Sequence, residues 1–133
     1  MTLGMDRNNP FDIEPNDIQW IGETVKTSPV TFDTMHDGLR AGIKVFLAYQ
    51  RHGWNTPTTA IMHFAPPSEN PTAEYIQHMC DWCGVKFDQA LDFHDKSFML
   101  LWSKGIIRQE QGESALQVIS DEMINLAIEA AFQ

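Results

Sequence analysis

The chain has 133 residues, the length of one domain, and 43% of them are hydrophobic, so its composition suits a folded core and not a disordered chain. Its formal net charge of −9 argues against a nucleic-acid module and against charge-driven binding to an anionic membrane or cell wall. The sequence contains no apolar run of ~18 to 20 residues that would span a bilayer, and residues 1–7 do not resemble a signal peptide. We expect a single domain over residues 1–133, made in a cytoplasm and carried elsewhere by other means.

The first 29 residues are predicted to be mostly irregular, because prolines at 10, 15 and 29 interrupt any helix. Alternating apolar residues within 17–24 predict a short strand, and residues 30–32 predict a second. The two are expected to pair as a small β-ribbon near the N-terminus.

Helix caps divide the rest of the chain. A helix is expected to begin at Asp33 or Thr34 and to end near residue 51, and another to begin at Thr56–Pro57 and to end before Pro66–Pro67.

Three later helices complete the pattern. The first is expected to be capped by Asn70 and to end at Gly84. The second begins at His94 or Asp95 and ends at Glu110. The last is capped by Ser120. About five helices and one ribbon predict a mostly α, α+β fold.

The two cysteines, Cys80 and Cys83, lie three residues apart and are best interpreted as core thiols on one helical face. A zinc site would need two further ligands, for which only His63 and His78 are loose candidates. A redox motif would normally open a helix, whereas this pair lies near a helix end. No metal site and no cofactor are predicted.

The segment 105–112 brings one carboxylate, Glu110, to the end of an apolar helix that Gly112 terminates. A rigidly held acid beside apolar side chains has the surroundings that a general acid needs. The alternative from spacing alone is a glutamate that faces water at the last turn of a helix.

Four parts of the chain carry further motifs in order. Residues 7–13 read RNNPFDI, residues 32–41 read FDTMHDGLRA, residues 53–76 include GWNT and FAPPSENPTAEYI, and residues 106–112 read IIRQEQG. They resemble RNNPGNI, FxTxxxGIRA, GLNT, WAPPSENxTxxYI and IIRHENG in small phage and prophage proteins often described as virion structural proteins. The chain retains the glutamate of the last motif as Glu110. It departs from the motifs at Phe11, Asp12, Phe64, Gln109 and Gln111.

That family in turn resembles lysozyme-like peptidoglycan hydrolases of the glucosaminidase or lytic transglycosylase type, with the chain permuted. The resemblance implies a lysozyme-like fold in which Glu110 is the general acid and Tyr75 stabilises charge near the sugar. It leaves Glu69 either as a brace of the Pro-Pro turn or as a second carboxylate that activates water.

The same resemblance implies a set of substrate-binding residues, whose alternative roles are in turns, caps and the core. Amide and carboxylate groups would bind acetamido and hydroxyl groups of a sugar, and indole rings would stack on its faces. These residues are Asn8, Asn9, Asp12, Asn70, Trp20 and Trp54.

The function implied is a virion-associated hydrolase or lytic transglycosylase whose partner is the glycan strand of peptidoglycan. It would act in the particle, or be delivered from the host cytoplasm to the periplasm, without a metal or organic cofactor. An alternative is a catalytically weak or inactive virion structural protein that binds other virion proteins, and a third is a secreted effector domain.

Overall fold

The computed structural model describes residues 2–133, which form six α-helices, one 3-10 helix and one two-stranded antiparallel sheet. In chain order these are α1 (Leu3–Asp6), β1 (Glu23–Val25), β2 (Thr31–Phe32), α2 (Met35–Arg51), α3 (Pro57–Phe64), α4 (Thr72–Cys83), α5 (Lys96–Gln111), the 3-10 helix (Glu113–Gln117) and α6 (Asp121–Ala131). The predicted mostly helical α+β fold with an N-terminal ribbon is confirmed.

The predicted caps set most helix limits. The Thr34 hydroxyl accepts a hydrogen bond from the backbone N–H of the third residue of α2, and Ser120 does the same for α6. Thr56 and Thr59 form a reciprocal capping box at the start of α3. Gly84 ends α4 with a φ of 66°, a conformation that glycine adopts without steric cost.

Four predicted limits are wrong. The strand expected within residues 17–24 begins only at Glu23 and continues to Val25. Residues 1–29 were expected to lack a helix, but α1 occupies four of them and is too short to leave a periodic pattern. Asn70 does not cap α4: Pro71 holds the cap position, and the Asn70 amide donates to the Pro66 carbonyl at 3.2 Å. Helix α5 continues one residue past Glu110, to Gln111.

An aromatic cluster joins α2 to α5. Phe46 of α2 and Trp102 of α5 have no exposed surface, and their rings meet edge to face with centroids 5.6 Å apart. Phe46 also contacts the rings of Phe11, Tyr49, Phe64 and Phe93. Such pairs contribute beyond the area they bury, so this cluster fixes the direction in which α5 presents its C-terminal end.

Residues 7–13 fold back against this core through Asn9. The Asn9 side chain has no exposed surface; its amide donates to the carbonyls of Ile13 and Val30 at 3.0 and 2.8 Å, and its oxygen accepts from the Ile13 N–H at 2.9 Å. Phe11 is buried over Gly42, where a Cβ would collide with the phenyl ring. Together these contacts hold the loop in one place.

Replacement of Asn9 is expected to destabilise the fold. Asn9→Ala leaves the Val30 carbonyl and the Ile13 N–H without partners and removes one of the two donors to the Ile13 carbonyl, which should lower the free energy of unfolding by about 2 to 4 kcal/mol. Urea denaturation measures the loss. Asn125→Ala, at an exposed position of α6, is the matched control and should change stability little. Equal effects of the two substitutions would contradict a structural role for Asn9.

Candidate functional site

A cleft of about 540 Å³ opens where the N-terminal segment meets the end of α5. Half-buried apolar side chains of Val45, Tyr49 and Phe64 form part of its wall. Its polar lining includes the side chains of Asp12, Glu14, Asn16, Glu69, Asn70, Glu110 and Gln111. Sequence elements far apart in the chain therefore meet around Glu110.

Glu110 lies in the last turn of α5 and is half-buried at the cleft, not fully exposed to water. The Tyr75 hydroxyl, from α4, donates a hydrogen bond to its Oε2 at 2.7 Å. Tyr75 is only 2% exposed, and burial together with the charge of Glu110 holds the pKa of Tyr75 well above its usual value. Tyr75 therefore remains a donor that orients the carboxyl group.

Asp12 supplies a second carboxyl group to the same point. It has a φ of 52°, so the backbone turns sharply there, and its carboxyl group is near enough to Glu110 for each to affect the pKa of the other. Gly4 of α1 makes room, because a Cβ at that position would collide with the Asp12 carboxyl and the Gln111 amide. The pair forms only because α1, the 7–13 loop and α5 all converge here.

Burial is the largest cause that raises the pKa of Glu110, to about 8. The hydrogen bond to Asp12 and the charges of Asp12 and Glu14 raise it further, whereas the bond from Tyr75 opposes them. Burial also raises the pKa of Asp12, against hydrogen bonds from Glu110 and Gln111. Two neighbouring carboxyl groups resist ionising together, which favours the protonated form of Glu110.

Gln111 ties the surrounding segments together. Its amide donates to the Pro10 carbonyl at 3.1 Å, and its oxygen accepts from the Thr2 hydroxyl. The neighbouring Gln109 oxygen pairs with His78 of α4 at 2.7 Å. These two glutamines, which depart from the motif around Glu110, brace the end of α5 against α1 and α4.

Among the predicted catalytic residues, Glu110 and Tyr75 touch each other, and Glu69 lines the same cleft from the connection between α3 and α4. Of the predicted substrate-binding residues, the structure brings Asp12 and Asn70 to the cleft.

The structure does not bring Asn8 or Asn9 to the cleft. Asn8 has a φ of 55°, and its amide donates to the carbonyls of Phe32 and Asp33, each at 3.2 Å. Asn9 is buried and its amide is fully used by backbone groups. Both amides hold the 7–13 loop to the ribbon, and sugar binding by them stays a prediction.

Trp54 is also in a different place from the one expected. Its indole lies between His63, with ring centroids 3.7 Å apart, and His52, at 4.8 Å. Imidazole rings therefore cover both faces that a sugar would stack on. Trp20 is half-buried outside the cleft lining, and its Nε1 is buried without a partner within residues 2–133. Neither indole is placed to stack on a ligand in the cleft.

The sequence did not reveal that Asp12 and Glu110 line the same cleft, nor the contributions of Glu14, Tyr49 and Gln111 to the site. The departures at Asp12 and Gln111 were the available signal, since both positions lie in motif segments that meet here.

The cysteines lie apart from the cleft lining. Cys80 and Cys83 are free thiols, and burial raises the pKa of both, that of Cys83 to about 12, which makes them poor nucleophiles. Within residues 2–133, no group of three or more His, Cys, Asp or Glu side chains is arranged to hold a metal ion. Nor does any helix in that range have the length and apolarity needed to cross a membrane.

The chain is similar to a phage protein. It is 30% identical over 96 residues to Protein P5 of Pseudoalteromonas phage PM2, and this match covers 67% of the chain and 60% of the relative. The chain thus spans less than two thirds of that relative's length. No family model matches the chain.

Replacement of Glu110 should change how stability depends on pH. The folded pKa of about 8 lies above the ordinary value of 4.5, so the unfolded state loses its proton first and folding is progressively disfavoured between these values. Glu110→Gln cannot ionise, and should therefore be more stable than the parent by about 1 to 3 kcal/mol near pH 8, with little difference below about pH 5. Urea denaturation across this pH range checks the effect.

The control is Glu74→Gln, an exposed carboxylate on α4. This substitution should leave the pH dependence close to that of the parent chain. If the Glu110 and Glu74 variants followed one curve, Glu110 would not be the buried acid described here.

Proposed function

We propose that the protein is a phage-type, virion-associated enzyme that cleaves peptidoglycan glycan strands, with Glu110 as general acid. The observation that carries this proposal is the position of Glu110: it lies half-buried in an open cleft with its Oε2 held by the Tyr75 hydroxyl, and burial there raises its pKa to about 8. A carboxyl group with a pKa raised in this way can donate a proton to a glycosidic oxygen near neutral pH.

The chemistry begins with proton transfer from Glu110 to the oxygen between two sugars, as the bond from that oxygen to the anomeric carbon breaks. The positive charge that develops on the sugar lies in a cleft lined by carboxyl groups. Water, or the sugar's own 6-hydroxyl, then attacks the anomeric carbon, and its proton returns to Glu110. The Tyr75 hydroxyl keeps Oε2 oriented throughout.

The carboxyl separations of glycosidases help to assign the other acids. Retaining enzymes hold their two carboxyl groups ~5 to 5.5 Å apart, and inverting enzymes ~6.5 to 9.5 Å. Asp12 raises the pKa of Glu110 and so belongs to its immediate electrostatic surroundings. Glu69, which also lines the cleft, is the better candidate for a separate base, which would take the proton of the attacking water in place of Glu110 if hydrolysis inverts the anomeric carbon.

The charge of the cleft restricts its ligand. Four of its lining residues, Asp12, Glu14, Glu69 and Glu110, carry carboxyl groups, and no lysine or arginine is among the lining residues of the 2–133 range. Such a lining disfavours anions and is compatible with a neutral ligand. The N-acetylated sugar backbone fits this condition better than the charged peptide stems of peptidoglycan.

Glutamine at position 110 should abolish cleavage. Glu110→Gln keeps the shape of the side chain but removes the proton donor, so we expect the release of sugar ends to fall by about a hundredfold or more. The assay digests purified peptidoglycan and counts reducing ends and anhydro-sugars, which also distinguishes hydrolysis from transglycosylation. Glu74→Gln, which is outside the cleft lining, should retain full activity. Undiminished cleavage by the Glu110 variant would rule out this residue as the acid.

A structural role in the virion is the second candidate. The observation that favours it is that Asn8, Asn9 and Trp54 are all engaged within the protein, which leaves few groups to bind a sugar. The similarity to a protein of phage PM2 supports a place among phage proteins in either case. Retention in washed particles, together with normal infectivity of particles carrying Glu110→Gln, would favour this role over catalysis.

A further inference from the structure

Tyr49 presents a fixed aromatic ring to the cleft. It lies on α2 one turn after Val45, so the two side chains share the face of the helix that lines the cleft. The Tyr49 ring meets the rings of Phe46 and Trp54 edge to face, each with centroids 5.5 Å apart. Phe46, which is fully buried, also contacts Phe64 with ring centroids 4.9 Å apart. One core ring therefore sets the positions of Tyr49 and Phe64 together.

The Tyr49 hydroxyl is free to bond to a ligand. It has no hydrogen-bond partner within residues 2–133, yet it is not enclosed by the protein as the indole N–H of Trp102 is. Burial raises the pKa of Tyr49 to about 12, so the hydroxyl keeps its proton at neutral pH and can donate it. The wall of the cleft thus offers one donor beside apolar side chains.

The other side-chain donors that line the cleft are mostly used within the protein. The Thr2 hydroxyl donates to the Gln111 oxygen, and the amides of Asn70 and Gln111 donate to backbone carbonyls. Asn16 uses its side-chain oxygen but not its amide N–H groups within residues 2–133, and it is exposed. The free donor that is set among apolar groups is therefore Tyr49.

An acetamido group is the part of an N-acetylated sugar that matches this wall. Its carbonyl accepts hydrogen bonds and its methyl group is apolar, whereas the pyranose hydroxyls can donate to the carboxyl groups of the cleft. We propose that Tyr49, Val45 and Phe64 form the subsite for this acetamido group: the Tyr49 hydroxyl donates to its carbonyl, and the two apolar side chains contact its methyl group. This subsite rests on the function proposed above, because it requires a glycan strand in the cleft.

The test compares two neutral β-linked oligosaccharides. Chitotetraose carries acetamido groups, whereas cellotetraose has hydroxyls in their place and leaves the wall without its contacts. Titration calorimetry uses the full chain with Glu110→Gln, so that no ligand is cleaved. We expect this chain to bind chitotetraose at least about tenfold more tightly than cellotetraose, and the added change Tyr49→Phe to lower that preference about fivefold. An equal preference with and without the Tyr49 hydroxyl would overturn the proposal.

Stability separates a ligand-binding hydroxyl from a structural one. Because the Tyr49 oxygen has no partner within residues 2–133, Tyr49→Phe should unfold at the same urea concentration as the parent chain. A clear loss of stability would mean that the hydroxyl bonds within the protein, and this result would overturn the proposal.

The matched control is Tyr75→Phe, which removes the hydroxyl that orients Glu110. In the Glu110→Gln chain it should leave the preference for chitotetraose intact, and in a chain that retains Glu110 it should slow glycan cleavage. An equal loss of preference in the Tyr49 and Tyr75 variants would contradict an acetamido subsite at Tyr49.

Failure of the subsite and failure of the proposed function give different results. If the parent chain releases no sugar ends but its preference for chitotetraose depends on Tyr49, the catalytic proposal is wrong and the subsite stands. If the parent chain cleaves peptidoglycan and Tyr49→Phe keeps the full preference, the subsite is wrong and the catalytic proposal stands. Binding of neither oligosaccharide would also overturn the subsite.

Discussion

The candidate site depends on how the N-terminal segment is folded over the end of α5. The Asn9 side chain holds residues 7–13 in place from inside, and Phe11 fixes the same loop to α2 through the Phe46 cluster. Without this attachment, the end of α5 would be an ordinary solvated helix terminus, and the carboxylate of Glu110 would face water. One buried amide therefore controls the surroundings of a residue about a hundred positions further along the chain.

This attachment also determines the electrostatics of the site. It removes Glu110 partly from water and brings Asp12 into the same cleft, and both changes favour the protonated form. Tyr75 acts in the opposite sense but fixes the direction of the group. The result is a carboxylic acid that is both oriented and accessible. A more strongly buried carboxyl group would be inaccessible to a ligand, and a more exposed one would be ionised at neutral pH.

The sequence predicted the fold better than it predicted the site. Caps such as Thr34, Thr56 and Ser120 act within four residues, so their local pattern was sufficient to find the helices. The position of Glu110 at a helix end was predictable for the same reason. The role of Asn9 could not be assigned from its motif, because the neighbouring residues do not distinguish an asparagine that binds a ligand from one that holds a loop in place.

The two indoles show the same limit from another direction. Trp54 was a reasonable stacking residue until the fold placed His63 of α3 on one face and His52 on the other. Contacts of this kind depend on the angle between neighbouring elements, which no spacing rule supplies. Asp12 and Glu110 are a longer-range case, because their contact requires the packing of the N-terminal segment on α5.

The carboxyl pair has a thermodynamic consequence that bears on what the site is for. An amide at either position would keep much of the hydrogen bonding without the cost of burying an ionisable group, which grows as the pH rises. A fold that needed only a brace between its N-terminal segment and α5 already has one in Gln111. Two adjacent acids therefore contribute little that the structure requires, and groups whose environment perturbs their protonation in this way occur preferentially where a proton is used.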